Sequence, residues 1–466
     1  MTEVLAEYAT YTDYKDIDAE QLGRIPSHWT IQRFRNAFSF GRGLSITKDD
    51  LQEEGIPCVN YGEIHSKFGF EIDPNKHLLK CVSKEFLKKN KNSLLSLGDF
   101  VFADTSEDME GSGNFTQLVR DAVVFAGYHT VIARPFGEEN DRRFLAYLCD
   151  STAFRSQIRR AVKGVKVYSI TQSILKNIRI WLPSISEQKE ISSFLDNKVT
   201  LIDAAINVKE QQIRLLKERK QILVQSAVTR GLNPDAPMRD SGVEWIGEVP
   251  GHWDIVANRT LFKERVEPGS EGLPLLSVSI HSGVSEEEVA DEDNIRGRVK
   301  IEDKTKYSLV CPGDIAFNMM RAWQGAIGEV RTAGMVSPAY TIATPSPRIL
   351  PKFFEYQYRT PVFIQQMDCN SKGITDFRKR LYWDGFKQLI TLVPPLEEQR
   401  AIVEHINTES AKQDKALSLL DQQITKLKEY KATLINSAVT GKVKVPGVVE
   451  PGDEVPKPEM QEVPAL

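Results

Sequence analysis

The chain has little that would place it in a membrane or an oxidising compartment. Its five cysteines, Cys58, Cys81, Cys149, Cys311 and Cys369, are scattered through 466 residues with no Cys-x-x-Cys and no adjacent histidine. Neither a zinc site nor a disulfide framework is indicated. No run approaches the roughly 18 consecutive apolar residues of a membrane helix, and the opening MTEVLAEYATYTDYKD is too acidic and polar for a signal peptide. A cytoplasmic location without a membrane partner is expected.

Catalytic signatures are equally scarce. A P-loop Gly-Lys-Ser/Thr is missing, so nucleotide hydrolysis has no support. Phe40-Gly-Arg-Gly43 and Ser337-Pro-Ala-Tyr340 fall short of the Gly-rich cofactor loop and the Pro-Pro-aromatic motif that a DNA methyltransferase needs. Carboxylate–lysine fragments such as Glu302-Asp-Lys304 arise by chance in so charged a chain. His28 and His252, both in Pro-x-His-Trp, have no catalytic constellation around them and are expected to be structural. No catalysis is read here. The net charge of -4 argues weakly against nucleic-acid binding, but an average can hide a basic face.

What the chain does have is an internal repeat. Shifted by 211 positions, Leu182–Gly231 aligns without a gap on Val393–Lys442, with 18 identities in 50 pairs; random pairing gives roughly three. The stretch LPSISEQKEI opens one copy and VPPLEEQRAI the other; both end on Ser-Ala-Val-Thr. The repeat extends upstream. Gly23-Arg-Ile-Pro-Ser-His-Trp29 echoes Gly247-Glu-Val-Pro-Gly-His-Trp253, Leu97-Gly-Asp-Phe-Val-Phe102 echoes Pro312-Gly-Asp-Ile-Ala-Phe317, and Thr130–Pro135 echoes Tyr340–Pro345. Drifting offsets between these echoes fit loops of different length. Two copies of one unit are expected, each a globular block followed by a helix.

The helices carry an apolar row at heptad spacing. Leu195, Ile202, Lys209, Leu216 and Leu223 run beside Val199, Ile206, Ile213, Lys220 and Ala227. Ile406, Gln413, Leu420, Leu427 and Leu434 run beside Ser410, Leu417, Ile424, Lys431 and Ala438 in the second copy. Such a seam needs a partner helix, for which the other copy is nearest, and its polar interruptions can fix register. Ser184 with Glu187 has capping-box spacing, while Glu397 and Glu398 suit an N-terminus opened by prolines. Gly231 with Pro234, and Gly441, mark the ends. The pairs Glu187-Gln188 and Glu398-Gln399 cap their helices or offer a docking contact to a partner protein.

The resulting division is an N-terminal segment at 1–20, a first domain at 21–181, a helix at 182–231, a linker at 232–244, a second domain at 245–392, a second helix at 393–442 and a Pro- and Glu-rich, disordered tail at 443–466. Short β-rich runs (Val123-Val-Phe-Ala-Gly127, Gly297-Arg-Val-Lys-Ile301) mixed with helix-like pieces give the domains an α+β or mixed α/β class. Trp29, Trp181, Trp253 and Trp383 are expected in the core.

Charge placement supplies the candidate site. No acidic residue lies between Asp150 and Glu187, an interval that holds Arg159, Arg160, Lys163 and Lys166 and closes its loop on Tyr168. The matching place in the second copy holds Lys372, Arg378 and Lys379. Such loops either form a solvated basic face or lay cations on phosphates while neighbours reach base edges. A second candidate follows each Gly-Asp strand: Thr105 and Ser106 within Asp104-Thr-Ser-Glu-Asp108, and Arg321, Trp323 and Gln324 within Asn318–Gly325. One scaffold with different tips is what two different readers need.

Taken together, the LPSISEQKEI/VPPLEEQRAI starts, the SAVTRG/SAVTGK ends, Met238–Trp253 and Phe317-Asn-Met-Met-Arg-Ala-Trp-Gln-Gly325 resemble the specificity subunit of type I restriction–modification systems over nearly the whole chain. The resemblance implies two target-recognition domains, each reading half of a split, asymmetric sequence in double-stranded DNA. The helices would pack as an antiparallel spacer under a pseudo-two-fold repeat. It implies no cofactor in this chain. Two modification subunits would bring S-adenosylmethionine and methylate adenine N6, and motor-nuclease restriction subunits would use ATP with Mg2+. The other reading is a non-catalytic coiled-coil scaffold with two protein-binding domains.

Overall fold

A computed structural model describes residues 8–17, 23–164, 166–287, 303–373 and 379–451. Two compact units divide the chain: Met1–Val208 with Gln423–Leu466, and Lys209–Gln422. Each unit therefore holds one mixed α/β domain and a piece of both long helices. The run Gly297–Ile301 and Arg378 lie outside the described residues.

The first unit is built on a five-stranded sheet in the order Phe38–Arg42, Thr130–Pro135, Phe100–Ala103, Phe115–Leu118, Phe70–Ile72. All pairings are antiparallel except the last. The second unit repeats the first four places with Phe262–Glu264, Tyr340–Pro345, Ile315–Asn318 and Ile327–Glu329, all antiparallel. Register is shared as well: Ala103 faces Thr130 in one sheet, and Asn318 faces Tyr340 in the other. The echoed strands Leu97–Phe102 and Thr130–Pro135 thus neighbour one another in space, as do their counterparts.

The echoed Gly-Asp pair is a turn. Gly98 and Gly313 take φ of 86° and 91°, a left-handed conformation that glycine adopts without steric penalty. The following Asp99 and Asp314 are buried, and each carboxylate accepts the backbone N–H three residues upstream, from Ser96 and Cys311, at 2.9 Å. An arginine completes each turn, Arg134 in the first unit and Arg265 in the second. Burial holds the Asp99 carboxyl above the usual carboxylate range, against the opposing pull of its Ser96 and Arg134 partners.

The first core is aromatic, with Phe34, Phe38, Phe100, Phe102, Phe115 and Phe154 in edge and tilted contact. The second gathers Phe262, Phe317, Phe354, Tyr358 and Phe386 around a stacked pair, Phe354 and Tyr358, with centroids 4.0 Å apart. Trp29, Trp181 and Trp253 are fully buried, as expected of core residues. Trp383 is half-buried and stacks on Phe386 at 5.5 Å.

The long helices run Ile185–Arg230 and Leu396–Val439, 46 and 44 residues. At 1.5 Å per residue each spans about 65–70 Å. Every apolar member of the heptad rows is buried or half-buried. In the first unit Asp203 meets Lys431 while Trp181 Nε1 donates to Val439 O, and in the second Lys220 meets Asp414 while Gly231 lies beside Glu398, so paired segments run antiparallel within each unit. Gly231 and Gly441 end the helices at φ of 76° and 68°.

One expectation is corrected. Residues 443–451 are ordered, with Val443, Val445 and Val448 buried. They are clasped by the N-terminal segment: Lys444 N–H donates to Ala9 O at 2.7 Å, and the Glu450 carboxylate accepts from Thr12 N–H at 3.1 Å. Three buried valines outweigh the Pro- and Glu-rich composition here, which was the ground for expecting disorder. The remaining tail, 452–466, lies outside the described residues.

Candidate nucleic-acid interface

In both units the tip that follows the Gly-Asp strand is held between two other segments at one junction. In the first, Asp104 N–H donates to His129 O at 3.0 Å, and Ile170 N–H donates to Asp104 O at 2.7 Å. In the second, Met319 N–H donates to Ala339 O at 3.1 Å, and Leu381 N–H donates to Met319 O at 2.9 Å. Ile170 and Leu381 are fully buried anchors. The junction brings each tip against the basic segment, about 60 residues away along the chain in both copies. The two candidate elements of each copy therefore form one surface.

On the first unit's surface, Thr105–Ser106 pairs antiparallel with Tyr168–Ser169. Lys163 and Lys166 are exposed, and Tyr168 is half-buried. Exposed cations on a short loop beside a polar tip can neutralise phosphates without desolvation. Arg160 is exposed. Two candidates have a different role. Ser106 is buried and its hydroxyl donates to Asp108 O at 2.8 Å. Arg159 is half-buried and donates to Glu110 O at 2.6 Å. Burial, with Arg155 nearby, lowers the affinity of Arg159 for its proton. Both brace the loop from inside.

The support beneath Thr105 was not legible in the sequence. His65 Nε2 lies 2.8 Å from Thr105 O, its Nδ1 lies 2.9 Å from Asn114 Nδ2, and Arg155 donates to Asn114 Oδ1 at 2.6 Å. Nothing in a linear sequence links residue 65 to residue 105.

On the second unit's surface, Ala322–Gln324 forms one short turn of 3-10 helix ended by Gly325 at φ 93°. Arg321 is held by Gln324 Oε1 at 3.1 Å, and Trp323 Nε1 donates to Met320 O at 3.0 Å. The Lys379 ammonium lies 5.3 Å from the Trp323 ring centroid and 2.7 Å from Asp368 Oδ1. Gln324 and Lys372 are exposed, and Lys372 exchanges backbone hydrogen bonds with Arg380. An indole and a cation presented together form a platform that can both stack and pair with a phosphate.

The paired Glu-Gln residues have internal work. The Glu187 carboxylate accepts from Tyr11 OH at 2.7 Å and Trp29 Nε1 at 2.9 Å, and lies 3.0 Å from His28 Nε2. Glu398 repeats this with Trp253 Nε1 at 3.1 Å and His252 Nε2 at 2.8 Å. Gln188 and Gln399 each accept the backbone N–H that precedes a domain helix, from Asp141 at 2.8 Å and Leu350 at 2.7 Å. The repeated Pro-x-His-Trp and Glu-Gln motifs are thus two halves of one contact. Glu187 is 3% exposed, while Glu398 keeps 26%. Glu187, Gln188, Glu398 and Gln399 make these hydrogen bonds within their own unit. Ser184 caps the first helix through Glu187 N–H at 3.3 Å, but the Glu187 carboxylate turns to Trp29 instead of closing a capping box.

Among the described residues no cluster of His, Cys, Asp or Glu could hold a metal, and no helix is long and apolar enough to cross a membrane.

Residues 26–215 match the type I restriction modification DNA specificity domain. The chain is 22% identical over 444 residues to the putative type I restriction enzyme MjaX specificity subunit of Methanocaldococcus jannaschii, covering 91% of this chain and 96% of that one. It is 20% identical to the type I restriction enzyme EcoKI specificity subunit of Escherichia coli K12, over 90% of both chains. A solved chain from a study of complex assembly and conformational transition of the type I R-M system superposes with a TM-score of 0.62. That match has 16% identity and covers 89% of this chain and 98% of the other, which supports the fold.

Proposed function

As this chain belongs to the DNA specificity subunits of type I restriction–modification systems, we propose that each of its two surfaces reads one half of a split DNA target. The observation that carries this reading is the shared junction. The same backbone frame presents Asp104, Thr105 and Tyr168 in one unit and Met319, Trp323 and Lys379 in the other. A single frame with unlike side chains suits an asymmetric target, since phosphate contacts position a reader and base contacts specify the sequence.

The chain itself takes part in recognition, not in bond making. Modification subunits would supply S-adenosylmethionine and transfer its methyl group to adenine N6. Restriction subunits would supply ATP- and Mg2+-dependent cleavage. The first long helix offers them a surface: Leu201, Val208, Leu215 and Ile222 are exposed at seven-residue spacing, a row that suits a partner helix.

The test is a genome-wide map of N6-methyladenine in the source cell with and without the gene. Loss of one split motif on deletion is the expected result. An unchanged map contradicts the reading.

A further inference from the structure

We propose that Asp104 and His129 form the base-reading pair of the first unit, a reading that rests on the function proposed above. Asp104 follows the strand Phe100–Ala103 and His129 lies in the turn before Thr130–Pro135, and the two meet at the junction. His129 Nδ1 lies 3.2 Å from Asp104 Oδ1, which also accepts from the Thr105 hydroxyl at 2.7 Å. Both side chains remain open to solvent, 57% for His129 and 34% for Asp104. They line a surface cavity of about 550 Å3 that also takes in Ser169, next to Tyr168 on the basic segment.

The turn that carries His129 is strained and locked. His129 takes φ of +54°, a left-handed conformation uncommon outside glycine and sustained only where surroundings over-determine it. Those surroundings are visible. A Cβ at Gly43 would lie 1.9 Å from Gly127 O, and one at Gly127 would lie 1.9 Å from Asn60 Oδ1. The Gly43 backbone and the Asn60 side chain are therefore packed against the start of the turn. Tyr61 backs the imidazole edge-on at 5.3 Å. A side chain fixed in this way loses little freedom on binding.

The chemistry of the pair selects its ligand. His129 Nδ1 holds Asp104 Oδ1 and leaves Asp104 Oδ2, which takes no hydrogen bond among the described residues, as the open acceptor of the pair. That carboxylate oxygen matches the one exocyclic N–H that adenine or cytosine shows in the major groove and repels the guanine O6/N7 edge. The equivalent places in the second unit are Met319 and Ala339, held by the same backbone bond. Neither side chain can form the pair, which ties this reader to one half-site.

The test uses the full-length chain co-expressed with its modification subunits, with the methylated motif read from the genome. Asp104→Asn is isosteric and replaces one acceptor with a donor. His129→Asn keeps a residue tolerant of the left-handed turn but removes the ring. Both are expected to relax one base position in one half of the motif by about tenfold or more, with the other half and the melting temperature unchanged. A wild-type motif retained at every position in both variants overturns the pairing. So does a uniform loss of methylation at all sites in both, which marks a purely structural role. If the wild-type chain imprints no split motif, the proposed function itself fails and this reading fails with it.

Discussion

Lys220 donates to both carboxylate oxygens of Asp414, at 2.7 and 2.8 Å, and Lys431 meets Asp203 in the same way, at 2.8 and 2.7 Å. Each member of one pair is the repeat counterpart of a member of the other. Lys220 and Lys431 are also polar interruptions in the apolar rows. A cation placed in a seam is tolerated only opposite its acid, and this fixes register.

Reversing one charge should therefore be felt, and reversing both should restore it. Lys220→Glu is expected to lower stability by about 0.5–1 kcal/mol, the scale of partly exposed pairs, with Asp414→Lys recovering most of the loss. Urea denaturation of the two single variants and the double variant measures the coupling. Simple additivity would show that the pair does not set register.

The Glu187 cluster should respond more strongly. Glu187→Ala leaves Trp29 Nε1 and the Tyr11 hydroxyl without their acceptor in a buried place, at a cost of about 3 kcal/mol. Glu398→Ala should cost less, because water reaches its carboxylate. Equal losses on chemical denaturation would contradict the role given to burial.

Gly441 packs against the Pro26 and Trp29 rings: a Cβ there would lie 2.3 Å from Pro26 Cδ. With φ at 68°, Gly441→Ala combines backbone strain and a clash, and a loss of about 2 kcal/mol is expected. Gly231→Ala meets its nearest atom at 3.0 Å, the end of a glutamate side chain, and should be milder. Calorimetry of the two variants ranks them.

Lys163→Ala with Lys166→Ala should weaken duplex binding by the assembled complex and flatten its salt dependence. Two lost phosphate contacts reduce the slope of log K against log[salt] by up to about 1.8. An unchanged slope would assign that loop to the solvated surface.

Thiol reactivity should follow burial. Burial, with Glu63 nearby, pushes the Cys58 thiol up to about 12, and the buried Cys81 and Cys149 thiols are also raised, chiefly by desolvation. Since the thiolate is the nucleophile, iodoacetamide at pH 8 should label the exposed Cys369 first. Early labelling of Cys58, read by peptide mass, would contradict a closed first core.

Whatever is periodic or repeated was legible in the chain alone. The heptad rows, the glycine stops, the buried tryptophans and the doubled Gly-Asp strands all depend on a residue and its near neighbours, and comparing the two copies exposes them. Composition misled at Val443–Val448, because three apolar residues in a Pro- and Glu-rich stretch are buried in a segment that long-range bonds to Ala9 and Thr12 hold in place. Only tertiary structure decided how the Glu187 carboxylate meets Trp29 across 158 positions and how Asp104 comes beside His129. It also decided that both long helices contribute to both units. Such contacts are long-range. Hydrogen-bond geometry and exclusion of water select them, and no local preference encodes either.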